Sequence, residues 1–85
     1  AVDGDDGPYA QLERRALRAR LAEALSELPD RERQILALSY QEELTLAEIG
    51  QVFGVSESRV SQLRTQAVAR LRTKLREWIQ VSHAA

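Results

Sequence analysis

Eighty-five residues with 44% hydrophobic content suffice for one small domain, whose core is modest because so much of a short chain stays at the surface. The absence of cysteine excludes a disulfide framework and a thiolate metal site, and no apolar run reaches the ~20 residues that span a bilayer. The formal charge of −1 hides an asymmetry, since residues 1–50 hold eleven Asp/Glu against six Arg, a balance of −5, whereas residues 51–85 hold two Glu against five Arg and one Lys, a balance of +4.

The chain begins AVDGDDGPYA, without the basic and apolar regions of a signal peptide. A soluble, cytoplasmic protein with no membrane partner is the expectation. Methionine is absent even at position 1, which suggests a fragment or processed product. Residues 1–8 combine acids, two glycines and a proline without apolar periodicity, the composition of a disordered linker remnant.

From about Tyr9 to Leu28, the residues Leu12, Ala16, Leu17, Leu21, Ala24, Leu25 and Leu28 recur at steps of three and four, which gathers them on one face of an amphipathic helix. Pro29 stops that helix and suits the first turn of the next, where Asp30 and Glu32 complement the positive end of the dipole. The second helix runs to about Tyr40 and buries Ile35, Leu36 and either Leu38 or Ser39. The segment QEEL breaks the pattern. Thr45 followed three residues later by Glu48 is a capping-box pattern that starts a third helix, Leu46 to about Phe53. Gly54 suits a helix C-terminus needing positive φ, and Ser56 can cap the next helix. That last helix starts near Glu57 and continues to about Val81, roughly 25 residues, because no proline or glycine interrupts it; residues 82–85 remain as a frayed tail containing His83, the only histidine. No strand signal is present, and the fold class read from these elements is all-α, a small four-helix domain spanning residues 9–81.

A short helix, a tight turn of about three residues and a longer helix make a helix-turn-helix over about residues 45–72. Ile49, Phe53, Val55, Val60 and Leu63 are spaced to form its apolar seam. Gly50 costs roughly 1 kcal/mol in a helix interior, which close helix packing would offset. An ordinary helical hairpin is the alternative. Winding the last helix at roughly 100° per residue with Val60, Leu63, Ala67 and Leu71 inward points Ser58, Gln62, Thr65 and Ala69 outward. Ser61 and Arg72 flank one side of this strip, Arg59, Gln66 and Arg70 the other, and Glu57 and Arg64 lie nearer the core edge. Glutamine can pair with adenine, serine can donate or accept, a carboxylate can accept from cytosine, and arginines at the margins can reach phosphates. Glu57 is equally accounted for as a first-turn acid favoured by the dipole.

LPDRERQILAL, TLAEIGQVFGVSESRVSQL and AVARLRTKL, in this order and spacing, resemble the C-terminal domain, region 4, of bacterial sigma factors, with ESRVSQL and QAVARLRTKL most similar to the flagellar type. The resemblance covers about residues 20–76. It implies a domain that recognises the upstream promoter element while docked on core RNA polymerase through the β-subunit flap, with an anti-sigma protein as a further partner. Carried over position by position, it implies base-facing roles for Glu57, Ser58, Ser61 and Gln62, and phosphate contacts by Arg31, by the helix start at Thr45 and Leu46, and by Arg59. The winding independently exposes Ser58, Ser61 and Gln62 but leaves Glu57 at the edge. Where housekeeping relatives usually carry arginine, positions 57 and 61 here hold Glu and Ser, which fits an alternative sigma factor.

Two other readings stay open. A response-regulator output domain has a similar helix-turn-helix, and a helical protein-interaction module would use the acidic first half and Trp78. Trp78 and Ile79 either finish the core or form an apolar partner contact. No nucleophile, base and carboxylate constellation accompanies His83, so neither an enzyme nor a cofactor or small-molecule substrate is expected.

Overall fold

The computed structural model describes the backbone of residues 7–84 and the side-chain surroundings of residues 7–80. Among the described residues the chain forms four helices and no strand: α1 (Pro8–Ser26), α2 (Asp30–Tyr40), α3 (Leu46–Phe53) and α4 (Glu57–Ala84). The linker expected over residues 1–8 lies outside the described residues except for Gly7 and Pro8, which cap and open α1. Proline suits that place because the first helical amides lack an intrahelical acceptor anyway. Pro29 instead precedes α2 as its N-cap, one position before the first turn. At the other end α4 continues to Ala84, past the expected stop near Val81, while the surroundings of His83 lie outside the described residues.

The core has two clusters, and α2 and α4 contribute to both. Ile35 joins Ile49 and Val60, with Leu38, Leu44, Leu46, Phe53, Val55 and Leu63 packed around them. Leu36, the next residue of α2, joins Leu28 and Ala67, with Leu25, Val68 and Leu71 against them. Ile35, Ile49 and Val60 are fully buried, and each side chain of this kind stabilises by roughly 1.5–3 kcal/mol relative to exposure. The first cluster ties α2 to the α3–α4 pair, and the second brings the end of α1 onto the middle of α4.

The apolar stripe of α1 is only half used. Ala24 is buried, and Leu21 and Leu25 are half-buried, but Leu12 and Leu17 are 60% and 49% exposed. The helix is as the periodicity predicts; its burial is not, because the contacts with α4 run from Arg20 to the C-terminal end of α1, and residues 11–20 are all exposed. Two polar contacts hold that second half: Lys74 Nζ lies 2.9 Å from Glu27 Oε1, and the Arg20 guanidinium sits 5.5 Å above the Trp78 ring. Trp78 is half-buried and Ile79 is 46% exposed, so the first closes the helix pair and the second does not.

Glu32 departs from its sequence reading as well. It occupies the first turn of α2 as a dipole-compensating acid, yet its side chain is 4% exposed, with Arg70 Nε 3.0 Å from Oε1. The aligned hydrogen bond runs from Arg70 Nε to Oε2 at 3.1 Å. This ion pair clamps α2 to α4 across 38 residues.

Candidate nucleic-acid interface

The turn between α3 and α4 is built from local chemistry. Thr45 Oγ1 accepts from the Glu48 N–H at 3.1 Å, and the Glu48 carboxylate accepts from the Thr45 N–H at 2.8 Å; the capping box is complete. α3 ends at Gly54, whose φ of 71° is the left-handed conformation that glycine adopts without a Cβ penalty. The Gly54 and Val55 N–H groups both donate to the Gly50 carbonyl. Ser56 Oγ then accepts from the Arg59 N–H at 3.0 Å, capping α4.

Gly50 sets the distance between the two helices. A Cβ built on it would stand 2.6 Å from the Val55 carbonyl oxygen and 3.6 Å from Glu57 N. The close approach inferred from the sequence is therefore real, and it is made against backbone. The apolar seam follows, with Ile49 and Val60 buried and Phe53, Val55 and Leu63 half-buried.

α4 presents Ser58, Gln62, Thr65 and Ala69 to solvent, with Arg59, Gln66, Arg70 and Arg72 beside them, as the winding predicts. Two positions differ from it. Ser61 is half-buried, whereas Glu57 is exposed. Helical angle alone places a residue around the axis but not along it. Glu57 opens α4 ahead of that helix's first buried residue, while Ser61 lies beside fully buried Val60. Of the four base-facing candidates, Glu57, Ser58 and Gln62 stand clear, and Ser61 offers only part of its surface.

Gln62 does not stand alone. Arg59 Nη1 donates to its Oε1 at 3.3 Å. Arginine carries donors only, so the amide atom that faces it has to be the oxygen, and the NH2 group is left for an acceptor elsewhere. The pair is exposed and couples one cation to one candidate base reader.

The remaining phosphate candidates gather at two helix starts. At α3 the capping box occupies the Thr45 and Glu48 amides. Of the four N–H groups that a helix start leaves without intrahelical acceptors, those of Leu46 and Ala47 remain. At this end the Leu46 and Ala47 amides are the ones to which the capping box supplies no acceptor, while Thr45 is engaged in the box. Arg31, in the first turn of α2, is exposed and lies 4.4 Å above the ring of Phe53, the residue before the turn glycine. Two residues on, Arg33 is engaged by Asp30 at 2.7 Å. The α4 strip itself carries no charge, with Arg59 bonded to its Gln62, and Arg31 sits on Phe53 at the end of α3. Neither the Arg31–Phe53 contact nor the Glu32–Arg70 clamp was found from the sequence, since no local spacing links residues so far apart.

Comparison with known proteins gives this surface a context. Residues 24–73 match the family described as Sigma-70, region 4. The chain is 63% identical over 60 residues to RNA polymerase sigma factor FliA of Pseudomonas aeruginosa, covering 71% of this chain and 24% of that protein. It is 57% identical over 70 residues to RNA polymerase sigma factor FliA of Escherichia coli (strain K12), with 82% and 29% covered, and 42% identical over 73 residues to RNA polymerase sigma-D factor of Bacillus subtilis, with 86% and 29% covered. The chain thus spans less than a third of the length of these relatives. Among solved structures, the flagellar sigma/anti-sigma complex Sigma-28/FlgM matches with a TM-score of 0.73 and 39% identity, over 79% of this chain and 29% of that one.

Proposed function

The chain belongs to the sigma-70 region 4 family, and from that membership we propose that it is the promoter-recognition domain of a flagellar-type sigma factor, reading the −35 element in the major groove. It is a binding domain, not an enzyme. The observation that carries the reading is the geometry of α4: the Gly50 contact and the left-handed Gly54 form the tight turn that introduces it, and its N-terminal turns pack one face on α3 while Glu57, Ser58 and Gln62 stay exposed on the other. Helix N-terminal residues contacting base edges is how helix-turn-helix domains dock.

The roles divide by chemistry. Glu57, Ser58, Ser61 and Gln62 face bases, and Arg31, the α3 start and Arg59 face phosphates, which position the helix without reading sequence. The Arg59–Gln62 bond couples the two tasks. When Arg59 turns to a phosphate, the Gln62 oxygen is released, and the amide can then pair with both N6 and N7 of adenine. With Arg59 still in place, the NH2 group favours a base acceptor such as thymine O4 or guanine O6.

A strip this poor in cations binds DNA weakly alone, because non-specific affinity comes from phosphate neutralisation. Docking on core RNA polymerase through the β-subunit flap supplies the missing affinity by raising the local concentration at the promoter. The domain would work in the cytoplasm. The related structure, a complex of a flagellar sigma with its anti-sigma, supports an anti-sigma factor as a second partner. The family match sets aside the response-regulator alternative.

The test is reconstituted transcription by the sigma factor carrying this domain on promoters that differ at single upstream base pairs. Gln62→Ala should lower discrimination at one position by about tenfold, the scale of one base contact, while polymerase binding is unchanged. Discrimination identical to that of the unaltered protein would overturn the reading.

A further inference from the structure

We infer that Phe53 is a positioning residue for DNA binding: its ring holds the Arg31 guanidinium in place for a phosphate beside the recognition helix. The inference rests on the promoter-binding reading above and adds a residue that neither the family motif nor the periodicity singles out for anything but packing.

Phe53 belongs to the apolar cluster of Ile35, Ile49 and Val60, and is half-buried, so its ring is held from within the domain while part of it remains accessible. The Arg31 guanidinium carbon lies 4.4 Å from the ring centroid, well inside the ~6 Å range over which a cation is attracted to an aromatic face. Phe53 closes α3 and is followed directly by Gly54 and the turn into α4. The contact therefore draws a cation from the start of α2 to the turn that introduces the recognition helix.

The same contact leaves the cation usable. Attraction to a ring face consumes none of the five guanidinium N–H donors, whereas a carboxylate partner would occupy two of them and cancel the charge. Neighbouring arginines show the contrast. Arg33 donates to Asp30 at 2.7 Å and to the Leu28 carbonyl at 3.4 Å, and Arg70 is committed to Glu32. The first of these also removes Asp30, the acid adjacent to Arg31, from competition. Among the described residues no hydrogen bond or ion pair engages the Arg31 guanidinium. A long flexible side chain loses rotamer freedom when it is immobilised on a ligand, and ordering it beforehand lowers that loss; the expected gain is about two- to tenfold in affinity.

The experiment measures binding of the holoenzyme to a promoter fragment across a salt series. Arg31→Ala should lower affinity and flatten the dependence of log K on log salt by about one, as loss of one phosphate contact requires. Phe53→Leu should lower affinity two- to tenfold with the salt slope unchanged, since the cation is still present, and Phe53→Tyr should restore the affinity. Arg31→Lys, a surface change that keeps the charge but not the planar group, should mimic Phe53→Leu, and Phe53→Leu should add nothing to Arg31→Ala. An equal loss from Phe53→Leu with and without Arg31 would show that the ring serves packing alone and would overturn the inference. So would full affinity in Phe53→Leu or Arg31→Lys. If Arg31→Ala changes neither affinity nor slope, Arg31 is not at the interface and the inference falls, while the promoter reading stands or falls separately on Gln62→Ala.

Discussion

Replacing Gly50 with alanine sets two physical effects of opposite sign against each other. Alanine is better than glycine in a helix interior by roughly 1 kcal/mol, so a solvent-facing Gly50 would make the variant more stable. The new methyl would instead stand 2.6 Å from the Val55 carbonyl oxygen. That oxygen belongs to the backbone of the turn, so no side chain can rotate out of the way. Clearing the contact moves the turn by about half an ångström or more, and gaps of that size forfeit a quarter to a half of the dispersion between packed atoms. Overpacking of this kind costs about 1–3 kcal/mol. The net expectation is a destabilisation of about 1 kcal/mol, or roughly 4–8 °C in Tm for a domain of this size. The assay is thermal unfolding of the 85-residue chain followed by circular dichroism, paired with promoter discrimination by the holoenzyme well below Tm, where re-aiming of α4 should reduce selectivity even in folded protein. Gly54→Ala is the comparison, since its Cβ would meet nothing within 4 Å and its cost of about 1–2 kcal/mol comes from the left-handed backbone alone. A Gly50→Ala domain with raised Tm and unchanged selectivity would refute the close-approach argument.

Three further outcomes are expected. Arg70→Ala should destabilise by about 2 kcal/mol in chemical denaturation, because it strands a buried carboxylate; Glu32→Gln should cost less, since the Arg70 it releases is already 55% exposed, and the reverse order would contradict the clamp. Glu43 holds φ at 57° so that the Leu44 N–H can return to the Leu38 carbonyl at 2.9 Å, and Glu43→Gly should therefore stabilise by about 1 kcal/mol, raising the denaturation midpoint. Thr45→Ala removes one half of the capping box and should cost about 1 kcal/mol, seen as a Tm lower by about 4–8 °C; an unchanged Tm would mean the cap adds nothing.

The helices and the turn were legible because their causes are local. The Thr45–Glu48 box, Gly54 and Ser56 act over three or four residues, and each is where the spacing put it. So too are the inward Val60 and Ala67 and the outward Ser58 and Gln62. The exposure of the candidate residues was legible in part: Arg59 and Gln62 are exposed as the winding predicts, but Glu57 and Ser61 exchange the degrees of exposure expected of them. Leu12 and Leu17 show the same limit, because their spacing marks a face without saying whether anything covers it. Glu43 carries no mark in its residue type, since glutamate is not a residue that selects positive φ.

A period of 3.6 residues and a handful of caps and glycines therefore settle where this chain is helical, where it turns and which way each side chain leaves its helix. They act through bonds between residues three or four apart, so one strand of text contains them. Which side chains meet across helices is another matter. Glu32 reaches Arg70 across 38 residues, and Arg31 meets Phe53, because α2 lies against both α3 and α4 with Ile35 and Leu36 directed into separate clusters. That placement follows from the packing of all the helices at once, and it turns a dipole-compensating glutamate into a buried clamp and a core phenylalanine into the seat of a cation.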